Sequence, residues 1–187
     1  MEAFFNMSNS RFTTRKLALA AVVAAAYAAL TIALQPISYG TVQMRVSEVL
    51  CILPYFIPCT AWGLFVGCVG ANFFGGGILD IVFGSLATLG AALVTAWLGK
   101  RKDTLANQAL ACLMPVLFNA VIVGAVLTAL FAQEGQIVNP LRFPGFYAAT
   151  AASVALGEAV VLFVLGLPLM RWLPKQSFFA KQIEKFQ

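Results

Sequence analysis

The chain has 187 residues, of which 61% are hydrophobic and only 10% are charged, and its mean hydropathy is +0.89. A soluble domain of this length cannot bury so much apolar surface, so the composition excludes a water-soluble protein and indicates an integral membrane protein. The net charge of +5 does not indicate a nucleic-acid partner, because the basic residues lie beside apolar runs, as they do in membrane proteins.

Ten of the twelve basic residues fall in three clusters. The clusters are Arg11, Arg15 and Lys16; Lys100, Arg101 and Lys102; and Arg171, Lys175, Lys181 and Lys185. Basic residues next to membrane spans favour the cytoplasmic side. Both termini are therefore predicted to be cytoplasmic, which requires an even number of crossings, and we derive six. The predicted fold is a single all-α membrane domain, residues 1–187.

The first span is predicted over residues 15–34, after a short polar arm. A cleaved signal peptide is the alternative, but this run is long, rich in alanine and followed by further spans. Alanine recurs at every fourth position on two adjacent stripes, where another helix can approach closely. The stripes consist of Ala20, Ala24 and Ala28, and of Ala21, Ala25 and Ala29. The residues alone leave open whether these stripes pack within the protein or dock a separate subunit.

A polar stretch from Ser38 to Glu48 follows on the outer side. Between it and Lys100 the chain must cross the membrane an odd number of times, and one crossing would leave too much apolar chain. Three crossings fit, because prolines and glycines break the helix at an inner and an outer turn. The predicted spans two, three and four are residues 46–57, 60–74 and 78–98.

The last two spans are predicted over residues 105–131 and 146–172. The loop between them, residues 132–145, is expected outside the cell and carries turn residues such as Asn139 and Pro140. A polar, basic tail is expected to remain in the cytoplasm.

The polar residues of the predicted spans collect in the outer half of the membrane, at ~1.5 Å of depth per helical residue. They are Gln43, Arg45, Glu48, Asn72, Asp80, Asn119 and Glu158. Asn119 and Glu158 are both expected ~18 Å below the outer ends of their spans. Because ionisable groups inside a membrane usually face a cavity or a partner, we predict a substrate pocket that opens outward.

Each of these residues also has a purely structural interpretation. Arg45 and Glu48 would pair at a helix entrance, and Asp80 would cap the fourth span. Asn119 and Glu158 would hydrogen-bond each other to hold two helices together. The aromatic candidates for the pocket, Tyr39, Phe143, Phe146 and Tyr147, are also typical of the aromatic belt at a membrane interface.

Several chemistries are excluded by the sequence. The chain has no histidine, and its four cysteines show no CxxC spacing, so no metal site is expected. No GxxxxGK[ST] motif occurs, so the chain is not expected to bind ATP in that way. No nucleophile and base stand out as a pair, and an enzyme is therefore not predicted.

Several blocks of the sequence, in order, resemble the QueT family. They read SYGTVQMRVSE, GCVGANFFGGGILDIVFGSLATL, PVLFNAVIVG and ALGEAVVLFVLG. Members of this family are substrate-binding S components of energy-coupling-factor transporters, proposed to import queuosine precursors. The resemblance covers most of the chain, from the first predicted span to the sixth.

The resemblance implies a six-helix S component in a prokaryotic plasma membrane. Its partners would be a transmembrane T component and two cytoplasmic ATPase subunits, which would use the ATP, so no cofactor is expected on this chain. In this fold the small residues of the first helix form the docking surface, which favours docking at the alanine stripes. The alternatives are an S component or stand-alone carrier for another heterocyclic compound, and a structural membrane subunit.

A 7-deazaguanine-type substrate presents two adjacent N–H donors, which a carboxylate accepts well. Glu158 is the first candidate for this role, with Asn119 at a neighbouring edge. Asp80 or Glu48 would pair with an aminomethyl group, and Arg45 would hold a carboxylate or close the mouth. An aromatic ring from the outer loops would stack on the base.

The predicted topology is testable with a membrane-impermeant thiol reagent in a background without the native cysteines. The variant Glu134→Cys is expected to react in intact cells, because residue 134 would lie outside. The variant Arg101→Cys is expected to react only after the cells are permeabilised. The opposite pattern of labelling would contradict the topology.

Overall fold

The computed structural model describes residues 13–38, 44–135 and 142–186, and within these ranges the protein is helical with no strand. The main helices of the described ranges are α1 Thr14–Ala33, α2 Val46–Phe56, α3 Thr60–Gly75, α4 Asp80–Leu98, α5 Leu105–Gln133, α6 Phe143–Lys175 and α7 Ser177–Phe186. A single helical turn, Gln35–Ser38, follows α1.

Four helices, α1, α4, α5 and α6, are long and apolar enough to cross a membrane. The other two predicted spans are present as shorter apolar helices, α2 and α3. Helix α3 has 16 residues and would measure ~24 Å at the usual rise. Crossing of the membrane by α2 and α3, and hence the count of six, stays a prediction.

Helix α2 is irregular, and it lies at the centre of the fold. Residues Val46–Ile52 form a 3₁₀ helix and Leu53–Phe56 an α-helical turn. The 3₁₀ part contacts α1, α3, α4, α5 and α6, while those five helices pack in succession, α1 on α3, α3 on α4, α4 on α5 and α5 on α6. Polar residues on this short segment are therefore placed at the centre of the helix bundle.

The packing of α1 on α3 is close because two glycines of α3 face the alanines of α1. A Cβ atom on Gly67 would lie 2.6 Å from the backbone oxygen of Ala24, and one on Gly63 would overlap the backbone oxygen of Ala20. This is the small-residue packing typical of membrane helices. The first alanine stripe thus packs at least partly within the protein.

The two stripes differ in burial. Ala20 is buried and Ala24 and Ala28 are partly buried, and Ala20 and Ala24 pack against α3, so the internal-packing interpretation applies to these two residues. The residues of the second stripe, Ala21, Ala25 and Ala29, are exposed. For these three residues docking remains a prediction.

Helices α5 and α6 also approach closely, which positions Asn119 opposite Glu158. A Cβ atom on Gly124 would lie 2.9 Å from Cα of Ala151. Next to this contact the hydroxyls of Thr128 and Thr150 lie 2.8 Å apart. Glycine at position 124 therefore allows the two helix backbones to come together five residues after Asn119.

Proline 115 interrupts the hydrogen bonds of α5 one turn before Asn119. Because proline has no N–H group, the carbonyl of Ala111 loses its usual partner within the helix. The hydroxyl of Thr95 on α4 lies 3.4 Å from this oxygen and donates to it. The interruption is thus partly compensated across the α4–α5 interface.

Two segments of π-helix lie beside the predicted site residues. One, Asp80–Gly84, begins α4, and the other, Val161–Gly166, begins three residues after Glu158 in α6. π-helical segments are frequent at functional sites because they shift the register of the side chains around the helix.

The carboxyl-terminal end of the described chain contains a helix that the sequence analysis did not predict. Residues Ser177–Phe186, expected as a polar tail, form α7. Its Phe179 packs edge-on against Phe56, with ring centroids 5.6 Å apart, and Phe186 is buried. Most of the apolar residues of α7 lie on one face of the helix, and this apolar face covers the end of α2 at Phe56.

Candidate functional site

The carboxylate of Glu48 lies at the centre of the described structure with no exposed surface. The Tyr27 hydroxyl of α1 donates to its Oε1. The Cys51 thiol donates to Oε2 at 2.9 Å. The Thr88 hydroxyl of α4 lies 3.5 Å from Oε1 but only 3.2 Å from the backbone oxygen of Gly84, which is the nearer acceptor for its one proton. A carboxylate buried away from water needs donors, and Tyr27 and Cys51 supply them.

A chain of weaker contacts continues from Glu48 toward Asp80. The Thr88 hydroxyl is 3.5 Å from Sγ of Cys68, and Nδ2 of Asn72 is 3.4 Å from the same sulfur. The same Asn72 amide donates to the backbone oxygen of Asp80 at 2.8 Å. Asn72 therefore fixes the start of the π segment in α4 against α3.

The second part of the site is the pair formed by Asn119 of α5 and Glu158 of α6. Nδ2 of Asn119 donates to Oε1 of Glu158 at 3.1 Å, and each residue is 1% exposed. Glu158 lies close enough to Glu48 and Arg45 to interact electrostatically with both. The two acids, the arginine and the amide thus form one buried polar cluster.

Some acceptor atoms of this region have no hydrogen-bond partner among the described residues. They are Oδ1 of Asp80, Oγ of Ser85, Oδ1 of Asn119 and Oε2 of Glu158. A buried polar atom without a partner costs ~1–3 kcal/mol, so such atoms usually bind water or a ligand. The arrangement can therefore accept N–H donors from a small molecule at Asn119 and Glu158 together.

The structure brings together most of the predicted site residues, but not all. Arg45, Glu48, Asn119 and Glu158 form the cluster, and Asn72 and Asp80 connect to it through Cys68 and Thr88. Tyr39 and Gln43 lie outside the described residues. Phe146 and Tyr147 are half-buried and precede Glu158 in α6 by twelve and eleven residues, ~18 and ~16 Å along the helix. The Tyr147 hydroxyl lies 3.4 Å from the backbone oxygen of Val121.

Sequence reasoning missed three residues that contact Glu48: Tyr27, Cys51 and Thr88. Tyr27 is the only aromatic residue in α1 and is fully buried, so a lone tyrosine in an alanine-rich span was an available signal. Threonine is frequent where membrane helices pack, and a free cysteine usually behaves as a small buried hydrophobic residue, so the sequence did not mark Thr88 or Cys51 as site residues. Within the described ranges no group of three or more metal-ligating side chains is found.

Comparisons with known proteins identify relatives of the chain. The family model described as QueT transporter matches residues 17–175. A protein of Lactococcus lactis subsp. cremoris (strain MG1363) named queuosine precursor transporter QueT is 39% identical over 71 residues, which are 37% of this chain and 42% of that protein. The match thus spans less than half of that relative. No solved structure matches the chain.

The role of Tyr27 can be tested by Tyr27→Phe, which removes only the hydroxyl. We expect the free energy of unfolding in detergent to fall by ~1–3 kcal/mol, because Glu48 loses a donor in a place that water does not reach. The control Tyr147→Phe removes the same group from a partly exposed site and should change the free energy of unfolding by less than ~0.5 kcal/mol. Equal effects of both changes would show that the Tyr27 hydroxyl does not support Glu48.

Proposed function

The chain belongs to the QueT transporter family, and from this premise we propose that it captures a queuosine precursor of the 7-deazaguanine type at the outer side of a prokaryotic plasma membrane. In this proposal it is the S component of an energy-coupling-factor importer with six crossings and cytoplasmic termini. A T component and two ATPase subunits would complete the transporter. The name of the Lactococcus relative supports the substrate class.

The observation that carries the proposal is the pair of free acceptors at Asn119 and Glu158. Oε1 of Glu158 already accepts from Asn119, which leaves Oε2 of Glu158 and Oδ1 of Asn119 without partners among the described residues. A guanine-like edge offers two adjacent N–H donors, one for each of these oxygens. The two donors are therefore shared between the residues, whereas the sequence analysis assigned both to Glu158.

The other two acids have different roles in this proposal. Glu48 accepts from Tyr27 and Cys51, so it supports the cluster and is a poor partner for a substrate cation. Asp80 is 5% exposed and its Oδ1 has no partner among the described residues. Asp80 is therefore our candidate for an aminomethyl group, and Arg45, which interacts electrostatically with Glu158, would hold a carboxylate or close the mouth. Phe146 or Tyr147 would stack on the base.

An S component for another small heterocycle remains the alternative substrate assignment, because any flat base with two adjacent donors fits the same acceptors. A stand-alone carrier is the alternative mechanism. The exposed stripe of Ala21, Ala25 and Ala29 favours the S component, since a side-chain-free face on a membrane helix suits close helix docking. The sequence also lacks a phosphate-binding loop, which leaves ATP chemistry to partner subunits.

The proposed substrate contact is tested by Glu158→Gln. Glutamine can still accept from Asn119, but it places an N–H group where the substrate also presents one. Because a buried unpaired donor costs ~1–3 kcal/mol, and more where a charge-assisted bond is lost, we expect binding to weaken roughly ten- to a hundredfold or more. Calorimetric titration of the detergent-solubilised protein measures the affinity.

The matched control is Glu134→Gln, which makes the same chemical change at an exposed position and should leave the affinity unaltered. The melting profile of Glu158→Gln must equal that of the parent, so that loss of fold is separated from loss of contact. An affinity within about twofold of the parent, a change too small for a lost buried hydrogen bond, would show that Glu158 does not bind the base.

Docking of the T component is tested by Ala25→Leu, which adds a bulky side chain to the exposed stripe. We expect transport or assembly with the ATPase subunits to be impaired while the substrate affinity of the isolated protein is nearly unchanged. The control Ala152→Leu adds the same side chain to an exposed position of α6. If Ala25→Leu lowers substrate affinity as much as transport, or if the control impairs transport equally, the docking proposal is wrong.

A further inference from the structure

A groove lies along the second half of α6, and its lining residues from that helix follow Glu158 by five to seventeen positions. Its volume is about 420 Å³. Five of its lining residues are apolar and two are basic. They are Leu105, Phe163, Leu167, Pro168 and Trp172, with Arg171 and Lys175. Among the described residues no acidic side chain lines it.

The apolar part of the groove opens on a surface that faces outward from the protein. The lining residues Phe163 and Trp172 are 37% and 56% exposed, and Val164 and Leu165, which follow Phe163 in the helix, are 63% and 48% exposed. These residues belong to a helix of 33 residues that is long and apolar enough to cross a membrane. Exposed apolar side chains on such a helix contact lipid chains, so the groove is open to the bilayer and not to the protein interior.

The basic part of the groove lies where the head groups of the membrane would be. Arg171 and Lys175 are four residues apart near the end of α6, and both are exposed. At ~1.5 Å per residue, α6 would extend ~50 Å, which exceeds the ~30 Å hydrocarbon layer and places its end among the head groups. Trp172 between them is the residue type typical of this interface.

We propose that this groove binds one anionic phospholipid. An acyl chain lies along Phe163 and Leu167, and the phosphate lies between Arg171 and Lys175. The combination of an apolar trough with two cations at one end matches a lipid with a negative head group, since basic pockets at this depth attract anionic lipids. The site is separate from the substrate cluster and does not depend on the proposed substrate.

The test uses Trp172 as a local reporter in the full-length protein with Trp62→Phe and Trp97→Phe. The protein is reconstituted in vesicles of dioleoyl-phosphatidylcholine, and brominated phosphatidylglycerol or brominated phosphatidylcholine is added in increasing fractions. Bromine on an acyl chain quenches the fluorescence of a tryptophan that it touches. We expect phosphatidylglycerol to reach half-maximal quenching at a mole fraction about tenfold lower than phosphatidylcholine. The attraction between its negative head group and two cations near a membrane surface is large enough for this difference in affinity.

Two double variants identify the residues responsible. Arg171→Gln with Lys175→Gln should bring the two lipids to within about twofold of each other, because the charge preference is lost. Lys181→Gln with Lys185→Gln removes the same charge from the exposed side of α7 and should keep the preference. Equal quenching by both lipids in the parent, or equal loss of preference in both double variants, would overturn the proposal.

Discussion

The fold is organised around a carboxylate that has no access to water. Glu48 lies on the central 3₁₀ segment with no exposed surface, and a buried charge is tolerated only where donors surround it. Its donors are Tyr27 of α1 and Cys51 of its own segment. Helix α1 is therefore held against α2 by a polar interaction, in a protein whose helices have little hydrophobic reason to associate within lipid.

This constraint separates the acids of the site into two kinds. Glu48 has its donors within the chain and serves the structure, whereas Glu158 and Asn119 keep acceptor atoms that no described residue fills. The second pair can stay incomplete because α5 and α6 are fixed independently by the close contact at Gly124 and by Thr128 and Thr150. Packing contacts thus hold the two acceptors in place, and a ligand can complete their hydrogen bonds.

Much of this arrangement follows from the sequence by counting residues along helices. Counting residues along the predicted spans placed Asn119 and Glu158 at the same height in neighbouring helices. Their hydrogen bond confirms that the two side chains meet. The spacing of the alanines in α1 did not show which stripe faces the protein interior. The inward-facing stripe is set by Gly63 and Gly67 of α3, which lie against Ala20 and Ala24. Helix α7 was missed because only half of its residues are apolar, and its packing depends on contact of its Phe179 with Phe56 of another helix.

The central claim is that two acceptors, one on Glu158 and one on Asn119, bind two adjacent N–H donors of a base. The most direct measurement compares two ligands on the unaltered protein by calorimetry: a 7-deazaguanine-type base and its analogue without the exocyclic 2-amino group. The analogue leaves one buried acceptor unpaired, so the account predicts binding weaker by about tenfold or more. Equal affinity for the two ligands would contradict it.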